Sequence, residues 1–141
     1  EQIETVIALT RDIVQRHRIA PERVLGHADI APGRKQDPGP QFPWRRLAQA
    51  GIILWPDADQ VAERLAFHRG QPLPEVVWFQ QRLATVGYRV PQSGELDPAT
   101  RQVISTFQMK YRPSDIGGEP DAETAALLEV ASTPGGMRAL P

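Results

Sequence analysis

The sequence predicts an α/β portion followed by a small three-helix all-α domain, and three observations carry that expectation. Near the N-terminus, apolar residues recur at helical spacing and are followed by a short apolar run that reads as a buried strand, the order of an α/β unit. Beyond residue 75 only helical periodicity remains, in three segments. Between the two regimes, "GQPLPE" at 70–75 sets Pro72 and Pro74 where both periodicities break. The expected organisation is therefore residues 1–70, a linker at 71–75, a helical domain at 76–133 and a tail at 134–141.

Residues 2–18 place Ile3, Val6, Ile7, Thr10, Ile13, Val14 and His17 on one helical face. "APER" at 20–23 ends that helix, and "RVLGH" at 23–27 is short and apolar enough for a strand. A loop rich in proline and glycine follows, "GHADIAPGRKQDPGPQFPW" at 26–44, where α/β folds carry their chemistry. Pro43 suits the first position of a short helix that Gly51 closes. A further helix at 57–69 aligns Val61, Leu65 and His68, with Gly70 as its C-terminal cap.

The helical domain reads as three amphipathic stripes. Val76, Phe79, Leu83 and Val86 form the first; Thr100, Val103, Ile104, Phe107 and Tyr111 the second; Ala125, Leu128 and Ala131 the third. The last two helices start alike, with Asp97-Pro-Ala-Thr100 and Asp121-Ala-Glu-Thr124, each shortly after a glycine. An aspartate there accepts the unpaired N–H groups of a first helical turn, so this short repeat has a mechanical cause. The tail "PGGMRALP" is expected to fray.

Composition narrows the partners. Sixteen basic and seventeen acidic residues leave a net charge of −1 across 141 residues, so no global field draws the chain to nucleic acid or an anionic membrane. The densest basic run, "RHR" at 16–18, reads as the solvated end of a helix. There are no cysteines, so a metal site would have to use His, Asp or Glu. No apolar run approaches the ~20 residues of a membrane helix. The chain starts at Glu1 without Met or signal peptide, and the expectation is that Glu1 marks a cut.

The loop at 26–44 is the place for chemistry. A histidine at a strand end and an aspartate ten residues on converge only if the chain doubles back, and Pro32, Gly33, Pro38, Gly39 and Pro40 brace such a return. His27 and Asp37 would then share a zinc ion, with Lys35 close enough to steady an oxyanion. Spacing alone leaves plainer roles open: His27 as a structural hydrogen-bonding residue, Asp29 and Asp37 as turn caps, Lys35 as a solvated charge.

The full run "VLGHADIAPGRKQDPGPQFPW" resembles the zinc-dependent N-acetylmuramoyl-L-alanine amidases of the type-2 amidase family, which cleave peptidoglycan. "WRRLAQAGIILWPD" looks like the segment those enzymes place after the motif. The stretch from "FQQRLATVGYRV" through "FQMKYRP" to "GGEPDAETAALL" resembles the three-helix peptidoglycan-binding domain fused to wall hydrolases. The resemblance implies a partial amidase sheet with helices, Zn2+ as cofactor, His27 and Asp37 as ligands and Lys35 as a transition-state aid. It also implies peptidoglycan or muropeptides as partner, with glycan contacts from Tyr88, Arg89, Arg112 or loop polar groups.

Family members use two histidines and one aspartate on zinc, plus an acidic general base. The first histidine and the acid correspond to positions upstream of Glu1. Neither His17 nor His68 matches a family ligand, and no motif supports Glu1 or Glu4 as the base. The expectation is therefore a truncated amidase, inactive as written, with an exposed sheet edge and residues 75–133 able to fold independently. The rival expectation is a non-catalytic peptidoglycan-binding fragment. The expected location is the cell envelope, periplasmic or anchored at the outer membrane through a segment ahead of Glu1.

Overall fold

The computed structural model describes residues 2–32 and 37–140. Helix α1 spans Gln2–His17, and a single 3-10 turn follows at Pro21–Arg23. The one-turn helix α2 is His27–Ile30, α3 is Trp44–Gln49, β1 is Trp55–Pro56 and α4 is Ala58–Arg69. Helices α5 (Val76–Val86), α6 (Pro98–Tyr111) and α7 (Ala122–Ala131) make the C-terminal part, and β2 is Met137–Arg138. The fold is mostly helical, with one two-stranded sheet among the described residues.

Two apolar cores organise it. Phe79, Leu83, Ile104, Phe107, Ala125 and Leu128 fill the space between α5, α6 and α7, as the three stripes predict. Trp44, Leu47, Ala48, Ile52, Ile53 and Trp55 form a second core, covered on one side by Ile3, Ile7 and Val14 of α1. Tyr111 touches both, its ring centroid 5.0 Å from Trp55 and 4.8 Å from Phe107. Val6 and Ile13, expected on that same face, stay exposed together with Leu9, so the covered stripe of α1 is narrower than the sequence predicts.

The repeat in the last two helices is also a repeat of buried contacts. Asp97 caps α6 by accepting the Thr100 N–H at 2.7 Å, and Asp121 caps α7 by accepting that of Thr124 at 2.7 Å. Behind each cap lies a buried glutamine. Gln80 Nε2 donates to Thr100 Oγ1 (2.9 Å) and the Glu95 carbonyl (3.1 Å), while its Oε1 accepts from Gly94 N–H (2.8 Å). Gln108 does the same with Thr124 Oγ1 (3.0 Å), the Glu119 carbonyl (3.0 Å) and Gly118 N–H (2.9 Å). Buried polar groups must be paired, so each glutamine fixes one loop against one helix start.

Three expectations need correction. Residues 23–27 form no strand: Val24–Gly26 are extended, and His27 already begins α2. The main-chain N–H of Gly26 is taken by the Asp29 carboxylate (2.9 Å) and that of Ala28 by the Asp37 carbonyl (2.9 Å), so local partners replace a ladder. Pro43 stands just ahead of α3, as its N-cap, rather than inside it. The tail does not fray throughout, because Met137–Arg138 pairs antiparallel with Trp55–Pro56 and Asp57 N–H donates to the Gly136 carbonyl at 2.9 Å.

The two sides of the linker region touch each other. Helix α4, which precedes "GQPLPE", lies against α7. Its His68 is buried with Nε2 2.8 Å from Glu129 Oε1, and Arg64 Nε lies 2.6 Å from Glu129 Oε2. Two groups at α4's core-facing side thus share one carboxylate of α7.

Candidate metal and wall-binding site

The loop after the extended segment does double back. Ala28 N–H reaches the Asp37 carbonyl, which ties the start of α2 to the far side of the loop. The Asp37–Pro38 peptide is cis. Gly26 is sealed between the Pro38 ring and Trp44; a Cβ at that position would meet Pro38 Cδ at 2.8 Å and Trp44 Cζ2 at 2.9 Å. Glycine is required there by space rather than by backbone angle.

This closure brings His27 Nδ1 to 3.0 Å from Asp37 Oδ2, with both side chains more than half exposed. Imidazole nitrogen and carboxylate oxygen are ordinary zinc donors, and two donors on one tetrahedral zinc stand about 3.4 Å apart given bonds near 2.1 Å. The donor types suit a divalent cation, while at 3.0 Å the two atoms are hydrogen-bonded to each other and face solvent. Among the described residues no group of three or more His, Cys, Asp or Glu converges as a metal site. Lys35 lies outside the described residues.

Beneath the pair is a feature the sequence reading missed. The Asp29 carboxylate, with its side chain only 9% exposed, accepts from Gly26 N–H and from Tyr88 Oη (3.0 Å), and pairs with Lys110 Nζ (3.3 Å). The Lys110 ammonium also sits 4.5 Å from the Trp44 ring centroid. Asp29 is thus no mere turn cap: it joins the loop to α6 and to the segment after α5. Burial, and next the Asp29 charge, raise the Tyr88 phenol well above its usual pKa, and the same two causes raise Tyr111.

The expected glycan contacts change accordingly. Tyr88 is buried and committed to Asp29. Arg112 is tied to Asp121 (2.9 Å), the Asp115 carbonyl (3.0 Å) and Thr124 Oγ1 (3.4 Å), whereas Arg89 is exposed. A cleft of about 390 Å3 opens between the two parts of the chain, lined by Val24, Leu25, Tyr88, Lys110 and Tyr111 among others.

The sequence held a signal for Lys110. It falls three residues after Phe107 and beside Tyr111, on the stripe that α6 turns inward, and a lysine on a buried stripe demands a partner. Asp29 could not be chosen as that partner without knowing which helix meets the loop.

Comparison with known proteins places these features. Residues 1–40 match the family model of N-acetylmuramoyl-L-alanine amidase, and residues 72–128 that of a peptidoglycan binding domain. The N-acetylmuramoyl-L-alanine amidase AmiD of Escherichia coli K12 is 46% identical over 129 residues, which are 91% of this chain and 46% of that protein. The 1,6-anhydro-N-acetylmuramyl-L-alanine amidase AmpD of Enterobacter cloacae is 44% identical over 46 residues, 33% of this chain and 25% of that protein. The structure of AmiD in complex with the substrate anhydro-N-acetylmuramic acid-L-Ala-D-γ-Glu-L-Lys superposes with a TM-score of 0.81, covering 91% of this chain and 49% of that one. AmpDh3 of Pseudomonas aeruginosa, in complex with anhydromuramic pentapeptide, gives a TM-score of 0.83 at 36% identity, covering 91% and 50%. The chain spans about half the length of the structures it matches. On these matches the chain is similar, over 91% of its length, to N-acetylmuramoyl-L-alanine amidases of which it spans about half, and its residues 72–128 match a peptidoglycan binding domain.

Proposed function

We propose that this chain carries part of the site for zinc-dependent hydrolysis of the amide between N-acetylmuramic acid and L-alanine in peptidoglycan. The observation that carries the reading is the approach of His27 Nδ1 to Asp37 Oδ2, 3.0 Å apart on a braced loop in the amidase-matching segment. His27 and Asp37 would hold the zinc, which when bound supplies a Lewis acid and an activated water. Lys35 would supply the ammonium that steadies the oxygen becoming negative as the amide carbon is attacked. The oxygen of water would bond to the lactyl carbonyl carbon, the C–N bond would break, and a proton of that water would pass to the leaving L-alanine nitrogen, giving a lactyl carboxylate and a free amine.

Residues 76–133 would hold the polymer and raise the local concentration of scissile bonds. That role implies action in the cell envelope, and we place it on the periplasmic side. No helix among the described residues is long and apolar enough to cross a membrane; any outer-membrane attachment would rest on polypeptide other than these helices.

A second reading is favoured by the donor count. Two protein ligands are one short of a catalytic zinc, so the 141 residues alone would bind the wall without cleaving it. A chimera joining them to the N-terminal part of E. coli AmiD tests both. The chimera is expected to release stem peptide from purified peptidoglycan and to lose that activity on His27→Ala or Asp37→Ala. The isolated chain is expected to sediment with peptidoglycan and release nothing. Stem peptide released by the isolated chain would overturn the two-donor reading, and an active His27→Ala chimera would overturn the metal assignment.

A further inference from the structure

Asp29 stands two residues after His27 on a helix of a single turn, and its carboxylate is held from three directions. One donor, Gly26 N–H, is local. The other two, Tyr88 Oη at 3.0 Å and Lys110 Nζ at 3.3 Å, belong to the peptidoglycan-binding part. A four-residue helix has no cooperativity of its own to keep its place. What fixes α2 is therefore this grip below and the Ala28–Asp37 main-chain bond above. The same Lys110 ammonium lies over Trp44, which packs on Gly26, so the cation also braces the wall behind the loop.

We propose that Lys110 and Tyr88 are positioning residues for the His27–Asp37 pair, so that the wall-binding domain sets the geometry of the metal site by gripping Asp29. The proposal rests on the metal reading above. Neither residue touches the metal or the scissile amide; each acts through Asp29, α2 and the Ala28–Asp37 bond. Donors to a metal are held in place by such outer partners, and removing them typically lowers metal affinity by about 10- to 100-fold.

The test is a Zn2+ titration of the 141-residue chain, followed through the NMR resonances of the His27 imidazole. Tyr88→Phe removes one hydroxyl, and Lys110→Met removes the charge at similar length. Each is expected to weaken zinc binding about tenfold, and Lys110→Arg to restore most of it. Gln108→Ala, which loosens the same domain without touching Asp29, is expected to leave zinc affinity as it was. Should Lys110→Met fail to fold, Tyr88→Phe decides alone.

Unchanged affinity in Tyr88→Phe and Lys110→Met, with binding lost in His27→Ala, overturns this proposal and leaves the metal reading standing. Equal weakening by Gln108→Ala overturns it too, since general loosening would then suffice. Zinc binding that survives His27→Ala removes the metal reading, and the positioning role with it.

Discussion

At Gly26 a single hydrogen atom decides whether the loop can close. The calculated approaches of a Cβ to Pro38 and Trp44, 2.8 and 2.9 Å, are shorter than carbon contacts allow, and both neighbours are rigid rings. Gly26→Ala should therefore destabilise the N-terminal part by about 1–3 kcal/mol, read from urea unfolding followed by tryptophan fluorescence. It should also loosen the loop, because the Ala28–Asp37 bond would lengthen. His27 and Asp37 were legible as candidates because proline and glycine crowd around them. Asp29 was not, since its meaning depends on Lys110, 81 residues away in sequence. No local pattern encodes such a distance.

The helices were the most legible part, and the reason lies in their ends. Asp97 and Asp121 announce two helix starts, and Gly87, with φ of 119°, closes α5 in a conformation that glycine adopts without strain. What the repeat did not disclose is the glutamine behind each cap. The dipeptides Phe79-Gln80 and Phe107-Gln108 precede the two "GE-x-D-x-x-T" runs and would have revealed it as a pair. Replacing either glutamine by alanine leaves a glycine N–H, buried at Gly118, and a buried threonine hydroxyl short of a partner, at about 2 kcal/mol for each substitution in chemical denaturation. The strand expected at 23–27 failed for the opposite reason. Its apolar residues fit a strand, but Asp29 and Asp37 claim the main-chain groups that a ladder would need.

The caps also fix the response of these helices to acid. Hydrogen bonds from Thr100, and next from Ser93, lower the Asp97 pKa below 3.8. For Asp121, burial pushes upward, but hydrogen bonds from Thr124 and Arg112 outweigh it and the net shift is also downward. A carboxylate depressed in the folded state adds stability that is complete above its unfolded value, near 3.8, and is lost as pH falls through the folded value. Thermal unfolding of the helical part should therefore be flat near neutrality and drop below about pH 4. Asp121→Ala should remove about 1 kcal/mol at pH 7 and reduce that drop.

For the molecule as a whole, the proline-rich linker and the mechanical boundary differ. Pro72 and Pro74 do interrupt the helices, yet α4 on the near side is bound to α7 on the far side through His68, Arg64 and Glu129. A fragment beginning at Asp57 should accordingly outlast one beginning at Glu75 by about 2 kcal/mol in urea, because the shorter piece strips α4 from the face of α7 that it covers. Equal midpoints would mean that the α4–α7 contact adds nothing. Composition could not reveal this, since His68 reads equally well as a surface residue until its neighbour is known.

The pairing of Met137–Arg138 with Trp55–Pro56 has a consequence for how the two parts can move. Because the chain's end is stitched back to its middle, the three-helix module cannot swing like a ball on a leash. A pull on the helices would be felt at Trp55 and Pro56, and cutting the stitch would let the two parts sway before either came apart.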